Sequence, residues 1–125
     1  MTDIQLKHAR EPASAEDGKR ILVDRLWPRG VQKESLFLDE WMKSVAPSTE
    51  LRKWFHHTTE RWVEFQQKYF AELDQQPELV CALRKMVSQG RVPLIFGAHD
   101  RQHNNAVALR AYLLRRSLGR MATCP

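Results

Sequence analysis

Two short apolar runs, each followed at once by polar residues, constrain the fold of this chain more than any other feature. The first run is Ile-Leu-Val at residues 21–23, and the turn Trp27-Pro28-Arg29-Gly30 follows it closely. The second run covers residues 92–96 and ends in Gly97-Ala98. Continuous apolar runs with β-branched members are typical of strands buried on both faces of a parallel sheet. We therefore predict two interior strands that each lead into a polar loop.

Helical signals lie between and after these two runs. Ser48 is a good N-cap for a helix over about 49–55, and Pro77 fits the first position of a later helix. Asp100 is predicted to cap a last helix that ends near Leu118. Strands that alternate with helices predict an α/β domain with a mainly parallel sheet. An aromatic stripe at helical spacing is assigned to the core: Trp54, Phe55, Trp62, Phe65, Tyr69 and Phe70.

The length of 125 residues suits one domain over residues 1–125, with a frayed tail over 118–125. No run approaches the roughly 18 apolar residues of a membrane span, and the first ten residues contain no apolar leader segment. The chain has two cysteines, Cys81 and Cys124, which are too few for a disulfide framework, and Cys81 fits a helix core. These observations predict a reduced, cytoplasmic protein without a membrane partner.

The two polar loops, residues 24–30 and residues 97–105, are the candidate site. In open α/β sheets, ligands bind beyond the carboxyl ends of the strands. If the two strands are neighbours in one sheet, both loops face a common crevice. Backbone N–H groups at the helix start near Asp100 would favour a phosphate or carboxylate, and Arg25 or Arg29 could grip the same anion.

Other side chains of these loops would complete such a site. Trp27 or Trp41 could stack on a flat group of the ligand, and Asp24 or His103 would move a proton if a reaction takes place. Asn104 and Asn105 either bind the ligand or only satisfy the start of the helix. The chain has neither a Walker loop nor a Gly-x-Gly-x-x-Gly fingerprint, so the cofactor is unknown. We predict an anionic small-molecule ligand, such as a nucleotide or a phosphorylated metabolite.

Several residues of the second loop have alternative interpretations. His99, Asp100 and His103 have loose spacing and no fourth partner, so no metal site is predicted. Asp100 is more often a plain cap than an acid catalyst, and His103 is equally consistent with an exposed residue of the first helical turn. Arg110 falls within the apolar arc of the last helix, where it either extends its head to solvent or pairs with Asp24.

The basic C-terminal third supports two alternative functions. Residues 84–125 contain eight Lys and Arg against one acid, whereas residues 1–83 contain 12 Lys and Arg against 14 acids. Such a charge excess suits an anionic partner, so nucleic-acid binding is the second hypothesis. No helix-turn-helix, RNA-recognition or zinc-finger signature accompanies it. A protein-interaction module is the third. The residues assigned to nucleic-acid contact are Arg84, Lys85, Arg91, Arg101, Arg115, Arg116 and Arg120.

Longer strings of residues resemble one known family. The string Ile-Leu-Val-Asp-Arg-Leu-Trp-Pro-Arg-Gly-Val over residues 21–31 is the most specific, and Leu-Asp-Glu-Trp-Met-Lys-Ser-Val-Ala-Pro-Ser over residues 38–48 accompanies it. Together with residues 94–98 and 103–106 they resemble the YeaO-like bacterial proteins, domain of unknown function 488, over most of the chain.

This resemblance implies a small single domain of Rossmann-like layering, with helices on both faces of the sheet and residues 38–46 as an extended strand. It implies no activity, substrate or cofactor. The chain departs from the common family pattern at Gly97 and His99, which puts a role for His99 in doubt. The family motif residues in this chain are Asp24, Arg25, Trp27, Pro28, Arg29, Gly30, Trp41, Lys43, Asp100, His103 and Asn104.

Overall fold

The computed structural model describes residues 3–56 and 58–115. A four-stranded sheet forms its centre, in the spatial order β1 (Ile4–His8), β4 (Val92–Phe96), β2 (Ile21–Leu22) and β3 (Glu40–Trp41), and every strand pair in it is parallel. The two predicted interior strands are neighbours, with Ile21 opposite Leu94, so the α/β fold with a parallel sheet is confirmed.

Two of the helices begin where local capping chemistry predicts. Ser48 caps its helix, because its Oγ accepts a hydrogen bond of 3.1 Å from the Leu51 amide. Pro77 occupies the first helical position, where its missing N–H costs nothing. The helices are α1 (Lys33–Leu36), α2 (Thr49–Phe55), α3 (Trp62–Asp74), α4 (Pro77–Ser88) and α5 (Asn105–Arg115).

The two faces of the sheet carry unequal layers. Alternate strand residues such as Ile21 and Leu94 point into the larger core, to which α2, α3, α4 and α5 contribute. Leu22 and Ile95 point to the opposite face, where Leu36 of the four-residue α1 packs on them. Helices therefore lie on both faces, but the second layer consists of one helical turn and loops.

Residues 38–46 do not form the extended strand that the family resemblance implies. Only Glu40–Trp41 pairs with β2, and a 3-10 turn over Lys43–Val45 follows at once. The physical reason lies in the packing of this turn, because the buried Val45 carbonyl accepts a hydrogen bond of 2.5 Å from the Tyr69 hydroxyl. The chain thereby turns away from the sheet edge and towards α2.

Three predictions for α4 and α5 need correction. Asn104, not Asp100, caps α5, because its Oδ1 accepts a hydrogen bond of 3.0 Å from the Val107 amide. Arg110 does not pair with Asp24; its Nε donates to the Ile4 carbonyl at 2.7 Å. Cys81 is buried on α4 as predicted, but it takes part in a disulfide bond, so the prediction of a reduced chain is wrong at this position.

Two further sequence-based predictions concern membrane spans and the C-terminal end of the chain. In the part of the chain that the structure describes, no helix has the length and apolar character to cross a membrane. The predicted end of the last helix near Leu118 and the predicted frayed tail over 118–125 lie outside the described residues.

Candidate functional site

A cavity of about 250 Å³ opens at the carboxyl ends of β2 and β4, and both predicted loops contribute to its wall. The geometry follows from the sheet order, because neighbouring parallel strands end at the same edge. The loop after β4 approaches closely through Gly97, where an added Cβ would lie 3.1 Å from Pro28. Five predicted site residues line the cavity: Asp24, Arg25, Trp27, Asn104 and Asn105.

Asp24 contributes a partly buried carboxylate to this cavity. Its Oδ2 accepts a hydrogen bond of 2.8 Å from the Gly97 amide, which ties the two loops together. Burial raises the pKa of Asp24, because removal from water disfavours the charged carboxylate. Hydrogen bonding from Gly97 and Asn105 and the positive charge of Arg52 act in the opposite direction on this pKa.

Two guanidinium groups line the cavity, and they differ in how many hydrogen bonds they form within the fold. Arg25 donates to the carbonyls of Ala46 and Pro47 over 3.3–3.4 Å, so it holds the segment before α2. Arg52 lies on α2, and its buried Nε has no hydrogen-bond partner among the described residues. The fold thus does not engage the Arg52 guanidinium as it engages that of Arg25, which suits Arg52 to an anionic ligand group.

The two asparagines contribute mainly to the scaffold. Asn104 uses both ends of its amide, since Oδ1 caps α5 and Nδ2 donates to the Asp100 carbonyl at 2.8 Å. Asn105 donates from Nδ2 to the Val23 carbonyl at 2.9 Å, which fixes α5 to the end of β2. The sequence left open whether these asparagines bind a ligand or satisfy the start of the helix. Asn104 and the Nδ2 group of Asn105 are engaged in contacts within the fold.

Both tryptophans hold the first loop through hydrogen bonds from their indole N–H groups. The Trp41 indole donates to the Asp24 carbonyl at 2.7 Å, and the Trp27 indole donates to the Val31 carbonyl at 2.6 Å. The two rings meet edge to face, a favoured aromatic geometry, with centroids 5.3 Å apart. Lys43 places its Nζ 4.2 Å from the centre of the Trp41 ring, within the range of a cation–π contact. Trp41 and Lys43 therefore position the loop without lining the cavity.

Asp100, His103 and Arg29 also lie outside the cavity lining. Asp100 Oδ1 accepts hydrogen bonds of 2.9 Å from the amides of Gln102 and His103, and these bonds lower the pKa of its carboxyl. Asp100 Oδ2 lies 3.0 Å from His103 Nδ1, and the His103 ring meets Trp62 edge to face. Arg29 is exposed, and its carbonyl accepts a hydrogen bond from Arg10. The structure does not bring His103 to the cavity that Asp24 lines.

Sequence reasoning did not assign Arg52, Phe55 and Phe65 to the site. All three line the cavity, and the two phenylalanine rings lie 4.5 Å apart. Arg52 and Phe55 belong to α2, which the sequence predicts correctly, but no local signal shows which face of a short helix meets a neighbouring loop.

The basic C-terminal third is partly used inside the fold. Arg84 is buried and donates to the Leu113 carbonyl, so its assignment to nucleic-acid contact is wrong. Arg91 binds Asp3 at 2.7 Å, and Arg101 binds Glu11 at 2.9 Å. Within residues 3–56 and 58–115, no three His, Cys, Asp or Glu side chains converge as metal ligands would.

Replacing Asp24 by asparagine is expected to stabilise the unliganded protein at pH 8. A carboxyl whose pKa is raised on folding stabilises the fold fully only below its unfolded pKa, and this contribution is lost as the pH rises through the folded pKa. Asparagine keeps the acceptor for the Gly97 amide but carries no charge. Melting curves should show the advantage of Asp24→Asn at pH 8 and its disappearance towards pH 4. An unchanged difference across this range would contradict the buried-carboxylate interpretation.

Comparison with known proteins gives a consistent family match. A family model described as "Inactive DUF488-N3 subclade" matches residues 3–123. The chain is 42% identical over 111 residues to the uncharacterized protein YeaO of Escherichia coli (strain K12), a match that covers 89% of the chain and 96% of that protein. It is 36% identical over 112 residues to the uncharacterized protein Rv3073c of Mycobacterium tuberculosis, covering 90% and 94%. None of the solved structures matches.

Proposed function

This chain belongs to the YeaO-like DUF488 family, within the subclade described as inactive, and we propose that it binds an anionic small molecule without transforming it. The observation that carries the proposal is the Arg52 guanidinium, which lines the cavity and forms no ion pair with any described residue. An anion in the cavity would pair with the Arg52 guanidinium and face a second guanidinium, that of Arg25.

The composition of the cavity wall supports binding more than catalysis. The titratable side chains that line it are Asp24, Arg25 and Arg52, and neither arginine exchanges protons near neutral pH. Asp24 therefore has no acid or base opposite it, among the described lining residues, with which to share a proton transfer. The description of the subclade as inactive agrees with this arrangement. The cavity volume of about 250 Å³ is smaller than that of sites for drug-sized ligands, so the ligand is small.

Titration with benzoate and phenyl phosphate at constant ionic strength tests the proposal, with benzamide as the neutral counterpart. Both anions place a ring against Phe55 and Phe65 while the charged group reaches Arg52. We expect both to raise the melting temperature, as ligands that bind only the folded state do. Benzamide should have little effect. Mass spectrometry should recover both anions unchanged after long incubation.

The matched variants are Arg52→Met and Lys53→Met, which remove one positive charge from the same helix. Lys53 is exposed, whereas Arg52 lines the cavity. We expect Arg52→Met to weaken benzoate binding about tenfold or more, because a hydrogen bond to a charged group contributes roughly 1.5–3 kcal/mol. Lys53→Met should bind like the parent protein. An equal loss of benzoate affinity in both variants would mean that only the net charge of the helix matters, and it would overturn the proposal.

A further inference from the structure

Besides Arg52, the cavity wall contains the Asp24 carboxylate, whose negative charge is not balanced by an ion pair. Asp24 uses Oδ2 for the Gly97 amide, and it forms no ion pair with any described lysine, arginine or histidine. The Asn105 side chain also hydrogen-bonds to this carboxylate, in addition to the hydrogen bond that its Nδ2 donates to the Val23 carbonyl, but it brings no positive charge. A partly buried carboxylate without a cation is unfavourable, so Asp24 is suited to a ligand group that donates hydrogen bonds.

Asp24 and Arg52 have opposite charges and line one small cavity, yet within the described residues they form no salt bridge with each other. Arg52 is near enough to lower the pKa of Asp24 by its charge. Both groups are therefore available to a molecule that carries the two complementary charges. An anion alone would satisfy Arg52 and leave Asp24 unpaired beside it.

The rest of the wall between these groups is apolar. Phe55 and Phe65 are 5% and 2% exposed, and their rings lie 4.5 Å apart. Pro47 and Ala46 belong to the same lining. This surface would receive a short hydrocarbon group and exclude water from the charged contacts, which strengthens them.

From this arrangement we propose that the ligand is a free amino acid or a close analogue, with its carboxylate on Arg52, its ammonium on Asp24 and an apolar side chain against Phe55 and Phe65. The inference rests on the proposed function, since it assigns the anion to Arg52. The ligand would be a free amino acid and not a peptide. In a free amino acid the ammonium and the carboxylate are on the same carbon, whereas each end of a peptide carries only one of them.

Three probes of one shape separate the two charged contacts in the full-length protein. L-leucine carries both charges, isocaproate carries only the carboxylate, and leucine amide carries only the ammonium. We expect calorimetry to show that L-leucine binds at least about tenfold more tightly than either single-charge probe, which corresponds to about 1.4 kcal/mol. Asp24→Asn should remove the advantage of L-leucine over isocaproate, and isocaproate should bind at least as tightly as to the parent protein, because a neighbouring negative charge is lost. Arg52→Met should remove its advantage over leucine amide.

The outcomes distinguish this inference from the proposed function. If isocaproate and benzoate bind through Arg52 but L-leucine binds no more tightly, the anion site stands and the amino-acid assignment is overturned. If the advantage of L-leucine persists in Asp24→Asn, Asp24 does not recognise the ammonium and the assignment is again overturned. If none of the anions binds, both proposals fail together. Because Asp24→Asn keeps the Gly97 hydrogen-bond acceptor, a folding defect in this variant is not expected.

Discussion

Replacing Gly18 by alanine is expected to lower the free energy of unfolding by about 2 kcal/mol or more. Gly18 has a φ of +81°, a backbone conformation that costs an L-residue roughly 1–3 kcal/mol. An added Cβ would also lie 2.1 Å from the Arg91 carbonyl oxygen, a distance that requires the backbone to move. The Lys19 amide donates to this same carbonyl at 3.0 Å, so the movement would weaken the contact between the start of β2 and β4.

Urea denaturation of Gly18→Ala and Gly90→Ala measures this effect against a matched control. An alanine Cβ at Gly90 would meet no atom within 4 Å, so the control lacks the steric clash. We expect the loss to be clearly larger for Gly18→Ala. A stability within about 0.5 kcal/mol of the parent protein, as surface substitutions usually give, would show that the Arg91 carbonyl yields without cost.

The second large effect is expected from Leu36→Ala, which truncates the one buried residue of α1. Leu36 is 0% exposed and packs with Leu22 and Ile95 in the thin layer on the second face of the sheet. A buried leucine-to-alanine substitution costs about 2–5 kcal/mol, because the surrounding residues only partly fill the cavity. Trp27 and Trp41 pack against the same cluster, so the loss should also change the near-ultraviolet circular dichroism of the tryptophans.

The neighbouring Phe37 provides the control for Leu36. Its side chain is 68% exposed. Phe37→Ala should therefore change stability by less than about 0.5 kcal/mol. Phe37 has a φ of 49°, a conformation that alanine tolerates no better, so the backbone cost is the same in both proteins. If Phe37→Ala and Leu36→Ala lowered the free energy of unfolding equally, the stability of this layer would depend on the backbone conformation of the segment and not on the burial of Leu36.

How far the candidate site follows from the sequence differs between its parts. The apolar runs and their polar continuations predict that loops 24–30 and 97–105 meet, and the adjacent strands β2 and β4 place them together. Arg52 could not be assigned, because a helix that is correctly predicted still has an unknown orientation about its axis. His103 and Asp100 are in the predicted loop but pair with each other, and His103 faces Trp62, since loop conformation decides the direction of each side chain.

The sequence by itself determined the two interior strands, the starts of α2 and α4, and the identity of the loops that form the cavity. These features depend on short-range chemistry, namely apolar periodicity, capping hydroxyls and the fixed φ of proline. Only the tertiary structure decided that Asn104 caps α5, that residues 43–45 leave the sheet, and that Arg52 and Asp24 line one cavity. Each of these depends on partners far away in the chain, such as Tyr69 for Val45, and such partners become neighbours only when the core packs.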